Sequence, residues 1–566
     1  MAALFETAAA RGLIVFLFFF VFIFGAFVAG SCLHDPDTCW LLAVGHHIVE
    51  TCQVPRVDPF SYTFPALGPD GAIDYGFFSG AGSGGATAGG GRLFVAYQWL
   101  SELIFYLSYL LGAGYGLVGL VAMLLVCSML LGPLFIFRYL KSPLISGGFL
   151  VILAVVASSF HFLARPEVFS YFLLTILLVG LTFYRKDYEE KQEPSRLVFL
   201  YPLIMLIWAN MHTGFVFGLI VGTVFSAGIG IEAIVRRDPR YGKLLRFTFS
   251  SLAAGFAVCC INPYGLALWT YLPGLFFSPI NKYIVELKPL GAGDLTQWTY
   301  YPFLLVSGIL ATILGRRLLA WKAAGKAPFS WGFSVLGIAI AIGGAIICRR
   351  MIPFCTLYLI SEAAWLRRGA AESGRQGFVS GVQSKLLELT SDHLPVSVSV
   401  ICALLGIYLI SSRVMEPTIP QSSISFPAPY KALAHMRENT PPGRMLNDPQ
   451  IGDMIIWHLN TRVRPLLATD PQRIEPPEQM PRVFIDTRFD MYGAPLVDDY
   501  FKMATLSPGW EKIFDRYGFD WVFLLRSTPL SGKLMESHDW QVSYKDDAAV
   551  ILIRKQIHRK ISDDIF

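Results

Sequence analysis

Two carboxylates, Asp35 and Asp37, stand one residue apart in His34-Asp35-Pro36-Asp37-Thr38-Cys39-Trp40, directly after the first long apolar run of the chain. One carboxylate held there can act as a general base, taking the proton of an acceptor hydroxyl as it attacks. The pair can instead hold a divalent cation, magnesium or manganese, that neutralises a phosphate leaving group. The ordinary structural reading is a helix N-cap, with Asp37 or Thr38 capping the stretch Trp40 to Thr51. Further groups suited to polar chemistry follow at Arg165 and Glu167, Asn210 and His212, Asn262, Glu286, and Arg349 with Arg350. An arginine fork matches two phosphate oxygens and stabilises a leaving phosphate without a metal. His212, at a break in an apolar run, can position a hydroxyl or phosphate, or simply cap a helix.

The elements that must position these residues are membrane helices. Of 566 residues, 54% are hydrophobic and only 15% charged, whereas soluble domains are about a quarter charged. That composition excludes an ordinary soluble enzyme, and a net charge of +5 gives no case for nucleic acid. Apolar runs of bilayer-crossing length fall at Leu13 to Gly30, Gly116 to Phe137, Leu144 to Leu163, Val168 to Tyr184, Leu197 to Asn210, Phe215 to Val235, Phe247 to Ile261, Tyr301 to Gly315, Trp331 to Ile347, Met351 to Trp365 and Val396 to Ser411. This predicts about eleven spans. Basic clusters at Arg138 and Lys141, Arg185 and Lys186, Arg236 to Arg246, Arg316 to Lys326, and Arg367 to Lys385 sit at alternate ends, which marks those ends as cytoplasmic. All the candidate groups fall at the opposite ends. Ionisable groups at membrane depth are costly unless paired or hydrated, so several from different helices at one level imply a polar cavity; interfacial snorkelling is the alternative.

The chain divides into a membrane domain, 1–414, with a long first outer loop, 31–92; a Pro- and Ser-rich linker, 415–429; and a water-soluble α/β domain, 430–566. An odd number of spans from a cytoplasmic N-terminus places that domain outside, the periplasm of a bacterial cell. Two interfacial helices are expected, Trp40 to Thr51 and Gln98 to Leu111. His46 and Glu50 share a helix face but lack a second zinc ligand. The tract Ser79 to Gly91 is a flexible Gly-, Ala- and Ser-rich insert. Of nine cysteines, Cys32, Cys39 and Cys52 lie in the outer loop, where one pair can oxidise. The C-terminal domain reads as a helix at Ile451 to Leu459, a strand at Arg482 to Ile485, helices at Leu496 to Ala504 and Trp510 to Tyr517, a strand at Trp521 to Leu525, and a final strand pair at Gln541 to Tyr544 and Ala549 to Ile553. Asp486, Arg488 and Asp490 either touch a ligand or tie down a strand end through salt bridges.

The succession Asp35-Pro36-Asp37-Thr38-Cys39-Trp40, Val54-Pro55-Arg56-Val57-Asp58-Pro59-Phe60-Ser61-Tyr62-Thr63 and Gln98-Trp99-Leu100-Ser101-Glu102 resembles the first outer loop of bacterial GT-C-type glycosyltransferase-like membrane proteins. Ala164-Arg165-Pro166-Glu167, Trp208-Ala209-Asn210-Met211-His212-Thr213-Gly214, Ile261-Asn262-Pro263-Tyr264-Gly265, Arg349-Arg350-Met351-Ile352-Pro353 and Phe484-Ile485-Asp486-Thr487-Arg488 follow in the order of that group. The resemblance implies a GT-C-like helical membrane core whose outer loop covers a cavity open to the outer leaflet. There a polyprenyl-phosphate-linked sugar serves as donor and a glycan, lipid or protein as acceptor. It implies that Asp35 or Asp37 is catalytic and that Arg165, Arg349 or Arg350 holds the donor phosphate. Glu167, Asn210, His212, Asn262, Glu286 and Gln98 would line the sugar and acceptor sites. Gln98 departs from the group, which carries a carboxylate before Trp-Leu. The expected activity is therefore sugar transfer at the periplasmic face of a bacterial inner membrane. A transporter of lipid-linked sugars and a non-catalytic scaffold in surface-glycan assembly are the alternatives.

Overall fold

The computed structural model describes residues 8–30, 32–63, 66–67, 73–74, 94–291, 297, 300–325, 327–368, 404–408, 419–420, 422, 426–459, 461 and 481–555. The membrane part is helical throughout: α1 (Ala8–Gly30), α2 (Asp37–Thr51), α3 (Trp99–Leu125), α4 (Gly132–Tyr139), α5 (Leu144–Ser158), α6 (Glu167–Lys191), α7 (Leu200–Met211), α8 (Phe215–Arg236), α9 (Pro239–Val258), α10 (Ala267–Phe276), α11 (Tyr301–Ala324), α12 (Trp331–Ile347) and α13 (Ile352–Leu366).

Four stretches are long and apolar enough to cross a membrane: Trp99–Tyr139, Glu167–Lys191, Phe215–Arg236 and Tyr301–Ala324. Four more, Phe16–Phe27, Ser146–His161, Arg196–Met211 and Trp331–Ile347, are apolar but shorter. The count of about eleven spans is therefore not confirmed among the described residues. Helix α9 starts well before its apolar run and carries Arg240, Lys243 and Arg246. Every residue of α13 except its flanking turns is buried, so its apolar character serves packing against α5, α11 and α12. Most of the run Val396 to Ser411 lies outside the described residues, as do the Gly-rich insert, Arg375 and Lys385; its helical piece 404–408 crosses α1 where Gly25 and Gly406 meet, a Cβ on Gly25 falling 2.4 Å from the Gly406 carbonyl oxygen.

The expected separation of an interfacial helix ending at Leu111 from a span starting at Gly116 is corrected. Helix α3 runs through both, broken only at Gly112 and Ala113, where Ala113 takes φ +47°, and continues through a π-helical stretch, Val126–Leu131, into α4. Gly112 permits the break, and the apolar run on both sides keeps the helix going.

After the linker come α14 (Tyr430–Glu438), β3 (Met445–Asn447), α15 (Pro449–His458), α16 (Phe489–Tyr492), α17 (Ala494–Ala504), α18 (Trp510–Tyr517), β4 (Trp521–Leu525), α19 (Pro529–Met535), β5 (Trp540–Lys545) and β6 (Ala549–Arg554), while the tiny hairpin β1 (Ala66–Leu67) and β2 (Ile73–Asp74) belongs to the outer loop. The four-stranded sheet has the order β3-β4-β6-β5, parallel between β3 and β4 and antiparallel elsewhere. The strand expected at Arg482 to Ile485 does not join this sheet. Val483 instead bridges Ser61 of the outer loop in parallel, with Val483 N donating to the Phe60 carbonyl and Tyr62 N to the Val483 carbonyl, both at 3.1 Å. A strand-like sequence finds a partner across the domain junction because its apolar side chains, Val483, Phe484 and Ile485, are fully buried there.

Candidate functional site

The arrangement begins with two loops held together by backbone: Ala164 N donates to the Cys32 carbonyl at 3.0 Å, and the Thr38 hydroxyl donates to the Ala164 carbonyl at 3.4 Å. This brings the first loop's carboxylates against Arg165. The Arg165 Nε binds Asp35, its Nη2 lies 3.1 Å from Asp37 Oδ2, and its Nη1 lies 3.7 Å from Glu286 Oε2. The capping alternative is realised in another form: α2 has no cap from Asp37 or Thr38, and Asp35 Oδ1 accepts from Asp37 N at 3.2 Å while its other oxygen serves Arg165.

A second cluster adjoins the first. Arg350, in the turn before α13, binds Glu167 at the first turn of α6. His212 Nε2 lies 3.8 Å from the same Glu167 oxygen. Asp35, Asp37, Arg165, Glu167, His212, Glu286 and Arg350 are thus brought together at the ends of α1, α5, α6, α7 and α12. The basic residues sit at the other ends: Arg368 after α13 binds Glu189 of α6 at 2.5 Å, and Arg236 of α8 donates to the Ala327 and Pro328 carbonyls.

Four expected site residues go elsewhere. Asn210 is consumed by packing, accepting from Trp99 Nε1 at 3.0 Å and donating to the carbonyls of Leu206 and Ile261. Asn262 closes its own turn, accepting from Tyr264 N at 2.8 Å. Arg349 turns outward to the Pro289 carbonyl and the face of Tyr300. Gln98 is buried at the start of α3, beside Glu102 and Arg488 in a small cavity.

Burial raises the Asp37 carboxyl to about 6; Arg165 pulls it down and the neighbouring charge of Asp35 pushes it up. Glu286 goes the other way: burial opposes ionisation, but the His161 hydrogen bond and Arg165 hold it down at about 2. One oxygen of each carboxylate of the Asp-x-Asp pair faces Arg165, and among the described residues no three His, Cys, Asp or Glu side chains are grouped as metal ligands.

Several participants were not among the candidates. His161 Nε2 lies 3.2 Å from Glu286 Oε2, and its Nδ1 lies 3.3 Å from the Tyr171 hydroxyl. Ser170 Oγ lies 2.8 Å from His212 Nδ1 and accepts from Trp208 Nε1 at 2.7 Å. From the C-terminal domain, Thr487 bonds the Asp37 carboxylate and donates to Asp453 Oδ1 at 3.1 Å. The one sequence signal for His161 was a histidine inside an apolar run, four residues before Arg165. Asp486 and Arg488 take the salt-bridge reading: Arg488 binds Asp486 at 2.6 Å and, across the domain junction, Asp58 of the outer loop at 2.8 Å, with Trp40, Phe60 and Phe94 around its guanidinium. Asp490 accepts from Tyr271 of α10. Among the described residues no disulfide joins Cys32, Cys39 or Cys52.

No family model matches the chain, and no curated protein matches it in sequence. Among solved structures it is similar to the oligosaccharyltransferase of Archaeoglobus fulgidus in its apo form, with a TM-score of 0.50 and 11% identity over 97% of this chain and 75% of that one. At that identity the likeness is one of fold. What the two share is the architecture of a large helical body with further domains, and this chain adds a small C-terminal sheet to its helical part.

Proposed function

We propose that the protein is a membrane glycosyltransferase that moves a sugar from a polyprenyl-phosphate-linked donor to a glycan, lipid or protein acceptor at the periplasmic face of a bacterial inner membrane. The observation that carries this reading is the meeting of Asp35 and Asp37 with Arg165, Arg350 and Glu167 at the helix ends opposite the basic clusters, in a chain whose fold resembles an oligosaccharyltransferase. Asp37 is the general base. Its side chain is 23% exposed, against 7% for Asp35, and a carboxyl near 6 can both take and release a proton. The acceptor hydroxyl loses its proton to Asp37 and attacks the anomeric carbon; the sugar–phosphate bond breaks, and the polyprenyl phosphate leaves with the bonding pair. Arg350 and Arg165 compensate that charge. Asp35 holds the Arg165 guanidinium in place. This chemistry needs no metal, and EDTA treatment of the purified protein leaves transfer unchanged.

The test is transfer by purified protein supplied with lipid-linked sugars extracted from the source membranes, read by mass spectrometry. Asp37→Asn abolishes transfer in protein that still inserts and stays monodisperse. Unchanged transfer in that variant contradicts the assignment of the base. The scaffold alternative draws on one observation, that Arg165 and Arg350 are already paired with carboxylates; transfer by neither wild type nor variant would favour it.

A further inference from the structure

Two buried histidines repeat one construction on either side of the Asp35–Asp37 pair. The ionised Glu286 can only accept, so its Oε2, 3.2 Å from His161 Nε2, puts the ring proton there and leaves Nδ1 to accept from the Tyr171 hydroxyl at 3.3 Å; the same Glu286 oxygen lies 3.7 Å from Arg165. Gly214 N donates to His212 Nδ1 at 3.0 Å, with Ser170 Oγ at 2.8 Å, which again leaves the proton on Nε2, here 3.8 Å from Glu167 Oε1; that oxygen binds Arg350. Adjacent residues of α6, Ser170 and Tyr171, thereby orient the two rings. Each histidine aims an N–H at a carboxylate that currently neutralises an arginine.

This geometry meets a difficulty of the site. A phosphate can engage Arg350 only if Glu167 gives way, and at Arg165, which Asp35 and Asp37 also hold, Glu286 is the most distant and most readily exchanged partner; a buried carboxylate stripped of its arginine is costly. We propose that His161 and His212 are positioning residues that retain Glu286 and Glu167 when Arg165 and Arg350 exchange these carboxylates for an anionic lipid phosphate. The inference rests on the donor reading above and adds how the occupied arginines become available. Glu286 is 32% exposed and Glu167 only 2%, so water can replace His161 in part but cannot replace His212. The His212 arm therefore matters more.

The probe is farnesyl phosphate, a short polyprenyl monophosphate, titrated against detergent-purified full-length protein with binding read by intrinsic tryptophan fluorescence. Loss of the Nε2 donor in His212→Phe weakens binding by roughly tenfold to a hundredfold, the worth of one hydrogen bond to a charged group; His161→Phe weakens it less. The glutamine variants, which keep an N–H, restore most of the affinity. Glu167→Gln tightens binding, since Arg350 no longer has a competing anion, Glu286→Gln does so less because Asp35 and Asp37 still hold Arg165, and in the Glu167→Gln background His212→Phe has no further effect. That last comparison separates positioning from general damage to the fold. The proposal is overturned if the phenylalanine variants bind as wild type does, if the His212 effect persists in full without Glu167, or if the glutamate variants bind more weakly. Should wild type bind no farnesyl phosphate, the donor reading falls together with this proposal; binding without histidine dependence removes this proposal alone.

Discussion

The chemistry of the site turns on which of two neighbouring carboxylates is free to work. Asp35 is committed twice, to Arg165 and to the amide of Asp37, whereas Asp37 keeps an exposed edge and a carboxyl raised to about 6 by burial. A base must be deprotonated, so kcat/KM rises with pH through about 6 and falls about tenfold per unit below it; a pH–rate profile checks this. Asp35 pushes the Asp37 carboxyl up, so its removal in Asp35→Asn moves that limb to lower pH. Glu286, held near 2, adds no limb at physiological pH. The sequence exposed Asp35, Asp37, Arg165, Glu167, His212, Glu286 and Arg350 because each charge interrupts an apolar run. It also offered Asn210 and Asn262, whose side chains close backbone gaps at helix ends, and a polar residue at a helix end looks the same in sequence whether it serves backbone or ligand. Ser170 and Tyr171 were invisible for the opposite reason, being ordinary residues of an apolar helix until folding aims them at histidines.

At the level of elements, one glycine decides whether the histidine network forms. A Cβ on Gly214 would stand 2.5 Å from Ser170 Oγ and 2.9 Å from His212 Nδ1. Its φ of −55° is ordinary, so space and not backbone conformation demands glycine. Gly214→Ala therefore separates α6 from the start of α8 and costs about 1–3 kcal/mol, to be read as a lower detergent-solubilised melting temperature together with reduced transfer. Hydropathy located most of the helices because apolar runs and membrane spans share a length scale. It misjudged α3, since a break at Gly112 and Ala113 interrupts the helix geometry without interrupting the apolar sequence. It also misjudged Val483 to Ile485, whose strand character is satisfied by the outer loop and not by the sheet; local pattern does not name a strand's partner.

Across the whole molecule, the C-terminal domain packs onto the end of the helical part that carries the site. Asp58, Arg488 and Asp486 form a buried group across the junction, Tyr109 of α3 packs edge-on against Trp457 of α15 at 4.9 Å, and Thr487 reaches Asp37. Replacing Arg488 by Ala leaves two buried carboxylates uncompensated and costs roughly 3–5 kcal/mol; the junction opens, seen as faster proteolysis between the two parts and a loss of transfer. The proposed orientation in the membrane rests on the separation of basic and site ends. Cys52, exposed at the end of α2, reacts with a membrane-impermeant maleimide in intact cells, and a cysteine introduced at Arg237 reacts only after lysis; the reverse pattern would invert the topology. The charge pattern singles out one end of the molecule, and sugar transfer is the reaction proposed for it. Its most direct test is the conversion of extracted polyprenyl-phosphate-linked sugar to free polyprenyl phosphate by purified protein, followed by mass spectrometry in wild type and Asp37→Asn. The account expects acceptor-dependent release by wild type and none by the variant; equal release by both, or release by neither with the lipid still bound, would contradict it.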